Sequence, residues 1–198
     1  KENKPFAKYM ACQFLFGMGN LMITAPLIVV LADQFSFDYL GEILIVSTIP
    51  IMLMPVSIPV WSKLLSRMHV IKFRSIHSWV FVISSICFGL SVFLGSSVGL
   101  WIAAALRGIG FGGGVLAWNL GHQDFAPIEQ SGRYMGLHVT LTGIRGLIAP
   151  ALGMGFYSLF HQMGETTGGG VFLLGAAISA VGGVGFIVLS RSSQCKSG

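Results

Sequence analysis

The sequence predicts an all-α membrane protein with six transmembrane helices, and three observations carry that prediction. Of its 198 residues, 54% are hydrophobic and only 10% are charged, whereas soluble domains carry about 25% charged residues. Six apolar runs, each long enough to cross a hydrocarbon core of about 30 Å, are separated by short polar connections. The basic residues also sort by connection. Lys1, Lys4 and Lys8 precede the first run; Lys63, Arg67, Lys72 and Arg74 follow the second; Arg133 follows the fourth; Arg191 and Lys196 follow the sixth. The alternate connections, 33–42, 95–99 and 161–168, hold no lysine or arginine. That alternation places both termini in the cytoplasm, in an inner or plasma membrane. It accounts for the net charge of +5, so the lipid bilayer is the expected partner and nucleic acid is not.

Helix one, about 9–31, has no charge between Lys8 and Asp33 and is too long for the apolar core of a signal peptide. Gln13, Gly17, Asn20 and Thr24 recur at i, i+4, i+7 and i+11, which is one helical face. Such a stripe points into a watery cavity or bonds to a neighbouring helix. Helix two, about 43–61, contains Pro50, Pro55 and Pro59 and is expected to bow, because each proline removes a backbone donor. The connection 62–74 is basic and reads as an internal loop. Helix three, about 76–94, is bland, with Ser84 and Ser85 free to bond back to their own backbone, and it is placed at the lipid-facing periphery. The turn Gly95-Ser96-Ser97-Val98-Gly99 matches a nucleophile-elbow spacing, but joining two membrane helices makes it a tight hairpin.

Helix four, about 100–120, carries Arg107 and then Gly108, Gly110, Gly112, Gly113 and Gly114. The G-x-G-x-x-G match lacks the strand a dinucleotide fold requires. The G-x-x-x-G pairs, Gly108 with Gly112 and Gly110 with Gly114, mark a helix that a neighbour approaches closely. Trp118 reads as an anchor at the membrane interface. Helix five, about 134–160, places His138, Thr142, Arg145 and Ala149 on one face; Gly143, Gly146, Gly153, Gly155 and Pro150 make it kinkable and closely packed. Helix six, about 171–190, uses Gly175, Ser179, Gly182 and Gly183 as packing notches. All 198 residues read as one six-helix domain.

The chemistry lies in what the spans lack. The seven acidic residues fall at span ends or in connections, so no carboxylate sits at mid-membrane. Arg107 and Arg145 therefore have no acidic partner at their depth, where a charge costs about 2.5–3.5 kcal/mol on an insertion scale. Three compensations are open: an anionic solute, a carboxylate from another segment, or backbone carbonyls freed by Pro150 and the glycines. His138 is the one histidine deep enough to carry a proton, or simply to bond a neighbouring helix. His122 and Asp124 are too few for a metal site. Three unpaired cysteines argue against a disulfide framework; Cys12 and Cys87 are apolar fillers, and Cys195 lies near the inner-leaflet end, where acylation is the minor reading. Neither cofactor nor metal is called for.

At these residues the sequence resembles half of a major facilitator superfamily transporter. The run LRGIGFGGG around Arg107 is similar to that family's fourth-span motif of an arginine followed by glycines, and GLIAPALGMG (146–155) to the glycine–proline motif of its fifth span. The loop SKLLSRMHV keeps Leu64 and Arg67 of the family's G-x-x-x-D-R-x-G-R gating pattern, while Ser62, Ser66, His69 and Val70 replace Gly, Asp, Gly and Arg. That degradation favours a C-terminal half. The resemblance implies two inverted three-helix repeats forming half of a twelve-helix carrier, with helices one, four and five lining the path. It implies alternating-access transport of a small anionic or polar solute, with the other six-helix half as partner. The path candidates are Gln13, Asn20, Arg107, His138, Thr142 and Arg145; the conformational and packing candidates are Gly108, Gly112, Gly146, Pro150 and Gly153; Arg67 is the gating candidate. A non-transporting scaffold or degenerate transporter domain is the alternative. An intramembrane enzyme fares worse, since its serine and histidine candidates, Ser97 and His138, lie at opposite depths.

Overall fold

A computed structural model describes residues 3–35 and 37–194; Lys1, Lys196 and Cys195 lie outside the described residues. Among the described residues there is no strand, and six helical spans are long and apolar enough to cross a membrane. The chain is an integral membrane protein of the all-α class. The first span, Lys4–Asp33, is two helices, α1 (Lys4–Met22) and α2 (Thr24–Asp33). Pro26 explains the break at Ile23: it offers no N–H to the Met22 carbonyl and its ring crowds that oxygen. Asn3 caps the start, accepting from the Phe6 N–H.

The second span, Tyr39–Leu65, opens with α3 (Tyr39–Ile43), capped by Asp38. One π turn, Leu44–Thr48, follows before α4 (Ile49–Leu65). There the Ile49 N–H reaches back five residues to the Leu44 carbonyl, a register change set beside Pro50, which has no N–H to give. Pro55 and Pro59 sit inside α4 without ending it.

The third span, α5, runs from Val70 to Leu94. The polar connection before it shrinks to 66–69, and Lys72 and Arg74 belong to the helix. Asp124 makes this early start possible by accepting from the Val70 N–H at 2.6 Å. At the far end Gly95 adopts the left-handed conformation (φ 60°) and Ser96 caps the next helix, a hairpin as its sequence predicts. The fourth span is α6 (Ser97–Leu120), the fifth α7 (Ser131–His161) and the sixth α8 (Gly170–Gln194). Pro150 does not interrupt α7.

The spans form an open arc. Second packs on fourth, fourth on third, third on sixth, sixth on first and first on fifth. Exchanging each span with the one three places along reverses this order onto itself, which is the signature of two inverted three-helix repeats. The same bond recurs in both: Ser84 Oγ on α5 donates to the Ala103 carbonyl of α6, and Ser179 Oγ on α8 to the Phe16 carbonyl of α1. Ser84 thus ties two helices together instead of bonding back. The third span is central, not peripheral, with fourteen buried residues. Its small and apolar side chains read as lipid-facing because burial in protein and exposure to lipid select the same residues. The arc's ends, the second and fifth spans, are the exposed ones.

Glycine decides the close approaches. A Cβ at Gly108 would meet the Pro50 backbone 2.8 Å away, and one at Gly112 would overlap Ser57 Oγ. On α8, Gly175 and Gly182 admit the backbone of α1, and Gly183 faces Ser78. On α7 only Gly153 works this way, against the Met22 carbonyl. Gly143, Gly146 and Gly155 have open space around them, so Gly146 is not a packing residue within this fold.

Two apolar clusters fill the arc. One gathers Met22, Ile23, Leu27, Phe88, Leu100, Ala103, Ala104, Ala149 and Phe172; the other gathers Phe6, Tyr9, Phe16, Trp61, Phe73, Phe81, Ala117 and Phe186. Along α6, Arg107 falls between Ala104 and Ala117, where the clusters part. The end holding Lys4, Lys63, Arg67, Lys72, Arg133 and Arg191 is basic. The opposite end presents Asp33, Asp38 and His161.

Candidate functional site

Arg107 is 7% exposed, and its Nη2 donates to the Asn20 carbonyl and to Thr24 Oγ1, both at 3.2 Å. Those acceptors flank the break between α1 and α2, so the arginine clamps the one point where the first span is bent. Its Nη1 is buried with no hydrogen-bond partner. The guanidinium lies 5.5 Å from the centre of the Phe111 ring, a favourable distance for a cation over an aromatic face.

Arg145 is equally buried and donates from Nη1 to the Gln13 carbonyl at 2.8 Å. It lies in a notch in α1 that Gly17 leaves open, and a Cβ at Gly17 would overlap the guanidinium. Its Nε has no partner. Both arginines thus hold backbone carbonyls of the first span, and neither turns to carbonyls freed by Pro150. Gln13 and Asn20 take part through their main chains. Their side-chain oxygens, Gln13 Oε1 and Asn20 Oδ1, are buried without partners.

His138 is 1% exposed, with its ring 5.5 Å from that of Trp118 and Nε2 unpartnered. Trp118 is therefore half-buried against the fifth span, where the sequence places it at the interface. Thr142 Oγ1 completes the stripe, also without a partner. Arg67 is exposed on the turn between the second and third spans.

Sequence reasoning missed Arg74 and His77. Read as loop, Arg74 is 2% exposed inside α5, with its guanidinium 5.8 Å from the Phe16 ring centre and Nη1 3.4 Å from His77 Nδ1. His77 is fully buried, with Nε2 2.7 Å from the Gly110 carbonyl, and its ring fills the space above Gly113. His138 is therefore not alone at depth. The helical period would have exposed both: Val70, Phe73, Arg74, His77, Phe81, Ser84 and Phe88 follow one face of α5.

The interior thus holds three arginines on three different spans and no acid among the described residues at their depth. Asp124 lies at the basic end, 3.8 Å from His69, and no group of three metal-ligating side chains occurs among the described residues. Stripes on the first, fourth and fifth spans converge: Gln13–Gly17–Asn20–Thr24, Arg107–Phe111–Gly114–Trp118 and His138–Thr142–Arg145–Ala149. Chemically, Arg107 Nη1 and Arg145 Nε remain as unpartnered charged donors, the kind of group that bonds an oxyanion.

No curated protein and no solved structure matches the chain. The family model of the Major Facilitator Superfamily matches residues 1–150, from the first span through most of the fifth. With that match over three quarters of the sequence, and six apolar spans in an inverted repeat, the chain belongs to the Major Facilitator Superfamily, whose members carry solutes across membranes.

Proposed function

We propose that the chain is the C-terminal six-helix half of a secondary active transporter, moving a small anionic or polar solute by alternating access together with the other six-helix half. Arg107 and Arg145 carry the reading. Each is buried, each keeps a guanidinium nitrogen unpartnered, and no carboxylate lies at their depth among the described residues. An unpaired charge in a low-dielectric interior costs several kcal/mol, and an oxyanion entering the arc would offset that cost at both arginines. Because the same guanidiniums hold the first span through the Asn20 and Gln13 carbonyls, an anion that draws them away loosens that span. Solute binding and helix movement are thereby linked. The open arc leaves the exposed faces of the second and fifth spans for the other half. In this reading the basic end faces the cytoplasm, both termini lie there, and Arg67 belongs to the gating loop.

Uptake into proteoliposomes by the full-length transporter tests the role. Arg145→Ala, folded as judged by gel filtration, is expected to lose uptake; unchanged uptake would reduce Arg145 to a packing residue. Wild-type protein that binds but never accumulates any anion would favour the scaffold alternative.

A further inference from the structure

We propose that the groove between the first and fifth spans at the basic end binds one anionic phospholipid, its headgroup at the cations and an acyl chain along the helices. The inference needs the membrane-spanning fold and nothing of the solute. A cavity of about 770 Å³ opens there, within the range of small-molecule sites, about 300–1,000 Å³. Lys4 comes to it from the first span and Arg133 from the fifth, with Gln130 and Tyr134 beside them. No acidic side chain lines it, and neither cation has an ion-pair partner among the described residues.

The polar part of the cavity is held in place. Asn3 Nδ2 donates to the Phe125 carbonyl at 2.8 Å and to the Tyr134 hydroxyl oxygen at 3.1 Å, while Oδ1 accepts from the Phe6 N–H. The Tyr134 ring lies 4.5 Å from the buried Phe6 ring. The Tyr134 hydroxyl therefore accepts from Asn3 and keeps its own proton for another acceptor. Two cations from different spans and a fixed hydroxyl form a donor set for a phosphate.

Below the cations the lining turns apolar. Ala7 and Leu137 lie one turn deeper than Lys4 and Arg133, about 5–6 Å. The strip continues through Ala11 and Leu15 on the first span and Ile144 on the fifth, all exposed. This side of the first span points away from Gln13, Gly17 and Asn20, the stripe that meets the buried arginines. The groove is thus outside the solute path. Val139, Gly143 and Gly146 are exposed on the opposite flank of the fifth span and remain for the other half. A ligand that is anionic at the top and apolar one turn down has the order of groups of a phospholipid, and basic pockets between spans bind such headgroups. Choline would set its ammonium against Lys4 and Arg133, so the charge selects an anionic lipid.

Native mass spectrometry of the detergent-purified full-length protein, titrated with dioleoylphosphatidylglycerol or dioleoylphosphatidylcholine, reads both stoichiometry and affinity. We expect one phosphatidylglycerol to bind more tightly than phosphatidylcholine. Lys4→Gln and Arg133→Gln should each weaken it about fivefold, the scale of one cation near an anionic lipid, with phosphatidylcholine unmoved. Lys63→Gln and Lys72→Gln remove equal charge from the same end but outside the groove, and should change nothing. All four side chains are exposed, and circular dichroism checks that the variants fold. Equal binding of the two lipids, or equal losses from the Lys63 and Lys72 variants, overturns the site and reduces Lys4 and Arg133 to orienting charges. Displacement of phosphatidylglycerol by equimolar glycerol 1-phosphate overturns the lipid in favour of a free phosphate. Binding of neither lipid overturns the proposal and gives the groove to the other half; the anion carrier is decided separately, by uptake.

Discussion

Gly153→Ala puts the packing account to a quantitative test. A Cβ at Gly153 would fall on the Met22 carbonyl oxygen and close against the Met22 backbone. The obstacle is main chain, so no side-chain rotation relieves it. The first span would have to shift at the break near Ile23, close to the carbonyl that Arg107 clamps. Overpacking of this kind costs about 1–3 kcal/mol. Replacing glycine by alanine inside a helix also returns about 0.5–1 kcal/mol of backbone entropy. Gly146→Ala is the matched control. It lies on the same helix, two turns away, with nothing within 4 Å of its added Cβ. The entropy gain is common to both variants, so it cancels in the comparison. Gly153→Ala should therefore be less stable than Gly146→Ala by about 1–3 kcal/mol, and Gly146→Ala should match or exceed wild type. Unfolding in mixed micelles with rising sodium dodecyl sulfate, followed by circular dichroism, measures the difference. Equal stability of the two variants would refute the tight first–fifth span contact on which the arrangement of the arginines depends.

Other contacts give equally direct outcomes. Gly17→Ala should destabilise wild type but be tolerated on an Arg145→Ala background, since its Cβ would occupy space the guanidinium vacates; a double-mutant cycle should return a coupling of about 0.5–3 kcal/mol, and additivity would contradict the notch. Asp124→Ala removes the acceptor for the Val70 N–H and should cost about 1–2 kcal/mol, with faster amide exchange at the start of α5; unchanged exchange there would show that the third span starts without it. Membrane-impermeant amine labelling in cells should reach Lys4, Lys63 and Lys72 only from the cytoplasmic face. Labelling of Lys63 from the face opposite Lys4 would undo the orientation.

The helical class and the six crossings were legible because hydropathy is a one-dimensional property. Lipid demands about twenty apolar residues per crossing whatever the neighbours do. The stripe on the first span and Arg145 on the fifth were legible for a related reason: a polar residue in an apolar run is conspicuous and its helical phase follows from spacing alone. Burial was not legible. The third span looks as greasy as a lipid-facing helix and is central, and Gly146 and Gly153 look alike in sequence. Only Gly153 meets a backbone.

Arg74 shows the limit most clearly. Beside Lys72 it reads as loop charge, since the positive-inside pattern explains it without further cause. It is drawn into the protein by a cap on Val70 supplied from Asp124, 54 residues away in the chain. Composition and periodicity settled that this chain crosses a membrane six times, and the spacing of glycines marked the fourth span as closely approached. Which helices meet, which glycines admit a neighbour, and that Arg107 and Arg145 grip the backbone of the first span were decided by tertiary packing. Those outcomes depend on distances between residues remote in sequence, and no local pattern encodes them.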